Sequence, residues 1–222
     1  MSIDIASHLG AIARVVEDRE HLGHAVKVVV ATRTYDTTID DLWDALTSPE
    51  RLPRWFAPVD GELKLGGRFQ VKGNAGGTIT ACAPPRSFSA TWEMGPAVSW
   101  INIRLEPTRT SGAHLTLEHL CPPSDHWNTY GPGAVGVGWE LGLLGLGMHV
   151  RSRESRDSFD ENAWGASDEG KDFIRSVGQG WIDADAAGGE YKTEASQRGQ
   201  RTIAFYLGEP PPGTSHPGTT GN

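Results

Sequence analysis

The chain has 222 residues, of which 37% are hydrophobic, and this size and composition fit one compact domain with extensions. Twenty basic and 28 acidic residues give a formal net charge of −8, the wrong sign for a surface that binds nucleic acid or anionic lipid. The two cysteines form no metal-binding spacing, and the first twenty residues lack the apolar core of a signal peptide. We therefore expect a cytoplasmic protein that binds no nucleic acid and holds neither a metal nor a cofactor.

The first elements in chain order are an N-terminal segment, a strand and a helix-turn-helix. Residues 1–23 carry apolar side chains at roughly helical spacing, which favours a short helix, although an arm or a strand fits nearly as well. The β-branched run 25–35 predicts the first strand of the main domain. A helix capped by Asp36 or Thr37 follows, and Pro49 begins a second short turn.

After Pro58 the sequence consists of short segments separated by Gly, Pro and Asn, which predict six strands in consecutive antiparallel hairpins. The apolar stretch that follows, 133–150, has helical spacing. It is too short to span a membrane and contains Glu140, so we expect no membrane insertion and a helix enclosed by protein. The order β-αα-β6-α allows this long helix to lie across the concave face of a curved sheet.

Residues 152–208 predict a helical extension, with Ser167 as one N-cap and apolar side chains along one stripe of each helix. The extension either packs on the domain or forms a homodimer interface, in which Trp181 and Tyr206 are buried against a second copy. The composition of residues 209–222 is typical of a disordered tail.

Five motifs in chain order resemble one known family. They are TIDDLWDALTSPERLPRWF, DGELKLGGRFQV, PPRSFSATWEM, SGAHLTLEHL and GVGWELGLLGL. Together they resemble the START-like (SRPBCC) superfamily, in the branch related to the C-terminal domain of the heat-shock-protein-90 ATPase activator. The resemblance covers about residues 25–150 and implies an α+β helix-grip fold over residues 24–151. The superfamily includes lipid carriers, polyketide cyclases, hydroxylase subunits and cochaperones, so the fold leaves the function open.

A cavity between sheet and long helix is the feature that this fold offers to a small lipophilic ligand, such as a lipid, a polyketide or an aromatic metabolite. Aromatic and aliphatic walls suit such a ligand, although each ring also fits an ordinary core. The glycines of the long helix allow either close packing or room for the ligand. The predicted ligand-binding residues are Trp55, Phe69, Phe88, Trp92, Ile101, Ile103, Leu117, His119, Tyr130, Trp139 and Leu143.

His119 is the candidate polar residue of the cavity. Strand alternation places it on the same face as Leu115 and Leu117, where an imidazole can serve as a general base or orient a ligand, or is simply a structural histidine. A cyclase- or hydrolase-type enzyme, with Tyr130 or Asn102 as helper, is thus an alternative to a carrier or sensor. No complete catalytic constellation is visible, and a chaperone-interacting module is the third hypothesis.

The segment between the last strand and the long helix, PPSDHWNTYGPG, is predicted to be a loop, either a lid on the cavity or a solvated connection. Its Asp125 and His126 form only a weak metal pair, so no metal site is predicted.

Overall fold

A computed structural model describes residues 5–152 and 161–212. An eight-stranded antiparallel sheet forms one layer, and helices cover its concave face. The strands are β1 (Ile12–His21), β2 (His24–Tyr35), β3 (Val59–Gly61), β4 (Arg68–Val71), β5 (Gly76–Ala83), β6 (Ser87–Met94), β7 (Ala97–Pro107) and β8 (Ala113–Cys121). The helices are α1 (Ile5–Ala11), α2 (Ile39–Thr47), α3 (Asp125–Tyr130), α4 (Gly133–Ser152), α5 (Glu161–Ala166), α6 (Asp168–Ala187) and α7 (Lys192–Leu207).

The strand order is β1-β2-β8-β7-β6-β5-β4-β3, so β3 to β8 form a meander and β2 pairs with the last strand of that meander. The predicted six-strand meander and closing helix are therefore confirmed. In β8, Leu115, Leu117 and His119 pair with Leu105, Ile103 and Ile101 of β7, and all of these residues are buried. The inward orientation of His119 follows from this register, because residues two apart lie on the same face of a strand.

The N-terminal segment is not an arm, because it adds a strand to the sheet. The seven-residue helix α1 passes directly into β1, whose ten residues pair with β2 from Ile12↔Arg33 to His21↔His24. Val16 faces the core and Val15 faces solvent, which is the alternation of an edge strand. Apolar spacing alone left helix and strand open, and the strand is selected by pairing with β2.

Helix α2 lies over β7 and β8, and the short 3₁₀ turn Leu52–Arg54 packs on α2. The N-cap of α2 is Thr38, not the predicted Asp36 or Thr37, and its side-chain oxygen accepts a hydrogen bond from the Asp41 backbone N–H. The Trp55 indole N–H donates to the Ala45 carbonyl at 2.9 Å, which joins the turn to α2.

Helix α3 replaces the predicted loop between β8 and α4. Its N-cap is Ser124, and its Trp127 is buried in the main core, so the segment is part of the packed structure and is not a lid over the cavity. Asp125 and His126 lie exposed on this helix. Within the described residues, no group of three or more possible metal ligands lies together.

The helical extension packs on the domain through α6, which contacts β1 and α4, and through α7, which packs on α6. Ser167 caps α6 as predicted. Trp181 is buried within this chain at 1% exposure, and the Tyr206 hydroxyl donates to the Ala134 carbonyl of α4. Neither side chain therefore needs a second copy to bury it. Of the predicted extension and tail, residues 153–160 and 213–222 lie outside the described residues.

Close packing accounts for most glycines of α4. A methyl group on Gly136 would overlap the Trp181 indole, and one on Gly145 would lie 2.6 Å from the Trp55 carbonyl oxygen. Gly142 differs, because a methyl group there would meet only the rings of Phe56 and Trp55 at ordinary distances of 3.8 and 3.9 Å. Of the two explanations for these glycines, close approach applies at Gly136 and Gly145, and spare room applies at Gly142.

Candidate functional site

A partly enclosed cavity of about 250 Å³ lies between the concave face of the sheet and the helices α2 and α4. Its floor is formed by β4 to β8, and its roof by α2, the turn that follows it and one side of α4. The lining consists of Trp43, Leu46, Thr47, Leu52, Trp55, Phe56, Val59, Leu63, Phe69, Val71, Ile79, Cys82, Pro84, Phe88, Ala90, Trp92, Ile101, Ile103, Leu115, Leu117, Trp139, Gly142 and Leu143.

Aromatic rings form a continuous wall on one side of this cavity. The Trp139 ring stacks on Phe56 at 6.3 Å and lies 5.1 Å from Trp92, measured between ring centroids. Trp92 in turn lies 6.3 Å from Phe69. Paired rings hold one another in position, because offset and edge-to-face arrangements are each favourable beyond simple area burial. The wall is thus assembled from β4, β6, α4 and the turn after α2.

Nine of the eleven predicted ligand-binding residues line the cavity. They are Trp55, Phe69, Phe88, Trp92, Ile101, Ile103, Leu117, Trp139 and Leu143. The other two, His119 and Tyr130, do not border it. Tyr130 ends helix α3, and its ring lies 5.8 Å from Phe205 of α7. It does not border this cavity, because the segment predicted to be a loop is a helix that places Tyr130 beside the extension.

His119 lies behind the aromatic wall and is 3% exposed. Its Nδ1 accepts a hydrogen bond from the Trp139 indole N–H at 3.0 Å. Because Nδ1 is the acceptor, the ring proton belongs on Nε2, which lies 2.8 Å from the Ser99 hydroxyl oxygen. Ser99 donates onwards to the Trp92 carbonyl at 3.1 Å. Three hydrogen bonds thus connect Trp139, His119, Ser99 and Trp92 in series. Both ring nitrogens of His119 have partners within the protein.

Burial lowers the pKa of His119 from its ordinary 6.5 to about 4, since the charged imidazolium would be desolvated there. The ring is therefore neutral at pH 7. A general base must reach the proton that it abstracts, and this ring is separated from the cavity by Trp92 and Trp139. The geometry supports a structural histidine that holds the two indoles, one of the alternatives that strand parity left open.

Sequence reasoning missed several lining residues. Trp43, Leu46 and Thr47 share the face of α2 that overlies the sheet, and their helical spacing of three and four residues is the signal that could have identified them. Cys82 and Pro84 lie at the β5–β6 turn, where Pro84 is the exposed member of the lining, so the cavity opens near this turn.

Charged side chains are buried on the other side of α4. Arg14 and Glu140 form a two-pronged ion pair with both N···O distances at 2.6 Å, and Glu140 has no exposure. Arg33 donates to the Leu143 carbonyl at 3.0 Å, contacts His8 and lies over the Tyr35 ring. None of these charges borders the cavity.

Known proteins share this architecture. Residues 36–146 match the family model described as Activator of Hsp90 ATPase homolog 1-like protein. The chain belongs to this family. The predicted START-like resemblance and the α+β helix-grip fold are thereby confirmed. No curated protein matches the chain.

Similar solved structures extend the likeness beyond the matched residues. The crystal structure of CalU16 from Micromonospora echinospora is 30% identical, with a TM-score of 0.64, and covers 78% of this chain and 98% of its own. Its solution structure is 29% identical with a TM-score of 0.65, covering 80% and 97%. MLL2253 from Mesorhizobium loti is 25% identical with a TM-score of 0.51, covering 58% and 98%.

Among the described residues, none of the helices is both long enough and apolar enough to cross a bilayer.

Proposed function

We propose that this protein binds a small lipophilic molecule in the cavity between sheet and helix, as a carrier or a sensor. The observation that carries the proposal is the lining, whose side chains are almost all aromatic or aliphatic around a volume of about 250 Å³. Protein interiors are otherwise closely packed, with few voids larger than a water molecule. Concave sites with mostly apolar linings are the usual form of small-molecule pockets.

Organic extraction of the purified, denatured protein followed by mass spectrometry tests whether an apolar compound co-purifies. A complementary test uses N-phenylnaphthylamine, an uncharged dye whose fluorescence rises in apolar surroundings. We expect saturable binding of one dye per chain. Absence of both a co-purified compound and dye binding would contradict the proposal.

Substitution of Gly142 by leucine locates the binding. The new side chain extends from a position that borders the cavity, and its Cβ atom meets only the rings of Phe56 and Trp55, without a backbone collision. We expect dye affinity to fall at least about tenfold, the equivalent of about 1.4 kcal/mol. The matched control is Gly165→Leu, on helix α5, where an added side chain meets nothing within 4 Å and dye binding should not change.

Family membership favours a second candidate function, interaction with an Hsp90-type chaperone, because the matching family is described by activation of its ATPase. Purified Hsp90 with and without an excess of this chain provides the test. Stimulated ATP hydrolysis supports the candidate, and an unchanged rate together with no co-sedimentation rejects it.

A further inference from the structure

The cavity lining carries no counter-charge for a ligand. Apart from the Cys82 thiol, no lining side chain is ionisable, and Thr47 supplies the lining's aliphatic hydroxyl. An ion moved from water into such surroundings loses its hydration, and that loss is recovered only by a paired charge or several hydrogen bonds. The lining therefore penalises an ionised ligand relative to an uncharged one of the same shape.

Three polar groups of the lining are already bonded within the protein. The indole N–H of Trp55 donates to the Ala45 carbonyl, and that of Trp139 donates to His119. The Thr47 hydroxyl donates to the Trp43 carbonyl at 2.8 Å. These donors are committed, so they do not provide the array of hydrogen bonds that a buried carboxylate, sulfonate or phosphate requires.

The nearest buried cations are also committed elsewhere. The side chain of Leu143 borders the cavity while its carbonyl accepts from Arg33, so the Arg33 guanidinium lies across α4 from the lining. Arg14 is held by both oxygens of Glu140. Arg51, which follows α2, donates to the carboxylates of Asp41 and Asp44 at 2.9 Å.

We infer that the cavity selects an electrically neutral ligand and rejects the ionised counterpart of the same molecular skeleton. The inference rests on the proposed function and narrows its ligand class. It excludes free fatty acids and phosphorylated lipids bound with their charge inside, and it fits an uncharged, mainly apolar compound.

Two dyes that share one skeleton test this charge selectivity. N-phenylnaphthylamine is uncharged, and anilinonaphthalene sulfonate is the same skeleton with an ionised sulfonate. Titration of each into the full chain under identical conditions should show at least about tenfold tighter binding of the uncharged dye. Equal or tighter binding of the sulfonate overturns the inference while leaving an apolar cavity in place. If neither dye binds and no apolar compound co-purifies, the proposed function itself is overturned.

A charge placed at the lining should weaken the preference for the uncharged dye. Thr47→Lys puts an ammonium group beside the cavity at a half-exposed position, where the long side chain can keep its charge near water. We expect the ratio of the two affinities to shift towards the sulfonate by about fivefold, or about 1 kcal/mol.

The matched control is Thr129→Lys. Thr129 also donates to the carbonyl four residues earlier, at 2.7 Å, but it lies on α3 away from the lining. The same added charge there should leave the affinity ratio unchanged. If both lysine variants shift the ratio equally, the sulfonate responds to net charge rather than to the cavity, and the inference fails.

Discussion

The two sides of helix α4 face opposite kinds of interior. On the side that faces β4 to β8, Trp139, Gly142 and Leu143 border a cavity whose lining has no charged side chain. On the side that faces β1 and α6, Glu140 of the same helix is buried against Arg14. There the Trp181 indole packs directly on Gly136 and leaves no room for a side chain. One half of the molecule is filled and held by polar anchors, and the other is hollow and apolar.

This difference suggests that one side of α4 fixes the position of the helix while the other side borders the cavity. Buried ion pairs and close glycine contacts fix the position of α4, so the opposite side can leave space without losing the helix. A void costs packing energy, and that cost must be offset elsewhere in the molecule. The filled half should therefore be sensitive to small changes, and the hollow half tolerant of them.

The largest expected effect is at the Glu140 anchor. Glu140→Ala leaves the Arg14 guanidinium, which is 13% exposed, without its partner, and breaking a buried pair in this way costs about 3–5 kcal/mol. Urea unfolding measures the loss. Glu62→Ala, which removes an exposed pair with Lys64, should cost less than about 1 kcal/mol. Similar losses in the two variants would contradict the role of the anchor.

Alanine substitutions at two glycines of the same helix compare the two halves directly. Gly136→Ala forces a methyl group into the Trp181 indole and should cost about 1–3 kcal/mol by overpacking. Gly142→Ala meets only ordinary contacts and should stabilise the protein by about 0.5–1 kcal/mol, because alanine is the better helix former. Thermal unfolding of both variants measures these changes in stability. A change of the same sign in both would contradict the difference between the filled and the hollow half.

His119 of β8 accepts a hydrogen bond from the Trp139 indole N–H of α4. His119→Phe should leave that N–H unpaired, at a cost of about 1–3 kcal/mol in the free energy of unfolding. The pKa in the folded state, about 4, lies below the ordinary 6.5, so the unfolded chain binds the proton more tightly. The stability due to neutral His119 is complete above pH 6.5 and is lost as pH falls towards 4. Unfolding measured across this window should lose that slope in the variant.

Indole resonances provide a control for that prediction. In His119→Phe the Nε1–H signal of Trp139 should shift and exchange faster, while that of Trp55, bonded to the Ala45 carbonyl, should not. Equal changes in both signals would indicate general loosening rather than loss of one hydrogen bond.

A further effect is expected at Asp185 in the filled half. Burial raises the pKa of its carboxyl from 3.8 to about 6, with Arg198 at 3.9 Å offering partial compensation. A raised pKa favours the folded state below pH 3.8, and this contribution is lost as pH rises through 6. Asp185→Asn should therefore stabilise the protein by about 1–2 kcal/mol at pH 7. Calorimetry at pH 7 and pH 4 should show this gain only at the higher pH.

Local signals in the sequence were enough for the meander, the closing helix and most of the lining. Turn residues delimit β3 to β8, and strand alternation placed Leu115 and Leu117 on the inner face. The edge strand β1 was not predictable in the same way, because its inward Arg14 is stabilised by Glu140, 126 residues later. Polar alternation there looks like an exposed segment until that partner is known.

The role of His119 depended on contacts that no spacing reveals. Its partners Trp139 and Ser99 come from two other elements, each 20 residues away in the chain. Parity along β8 predicted that the ring faces inward, but whether it borders the cavity depends on where two large indoles lie. Tyr130 was misplaced for a related reason, since a six-residue helix reorients the whole connection.

Four of the eight tryptophans, Trp43, Trp55, Trp92 and Trp139, border the cavity. Half of the intrinsic fluorophores thus lie where an occupant would displace solvent from their rings. The protein carries its own optical reporter of occupancy, so emission intensity and wavelength can follow loading and release in real time, without a label.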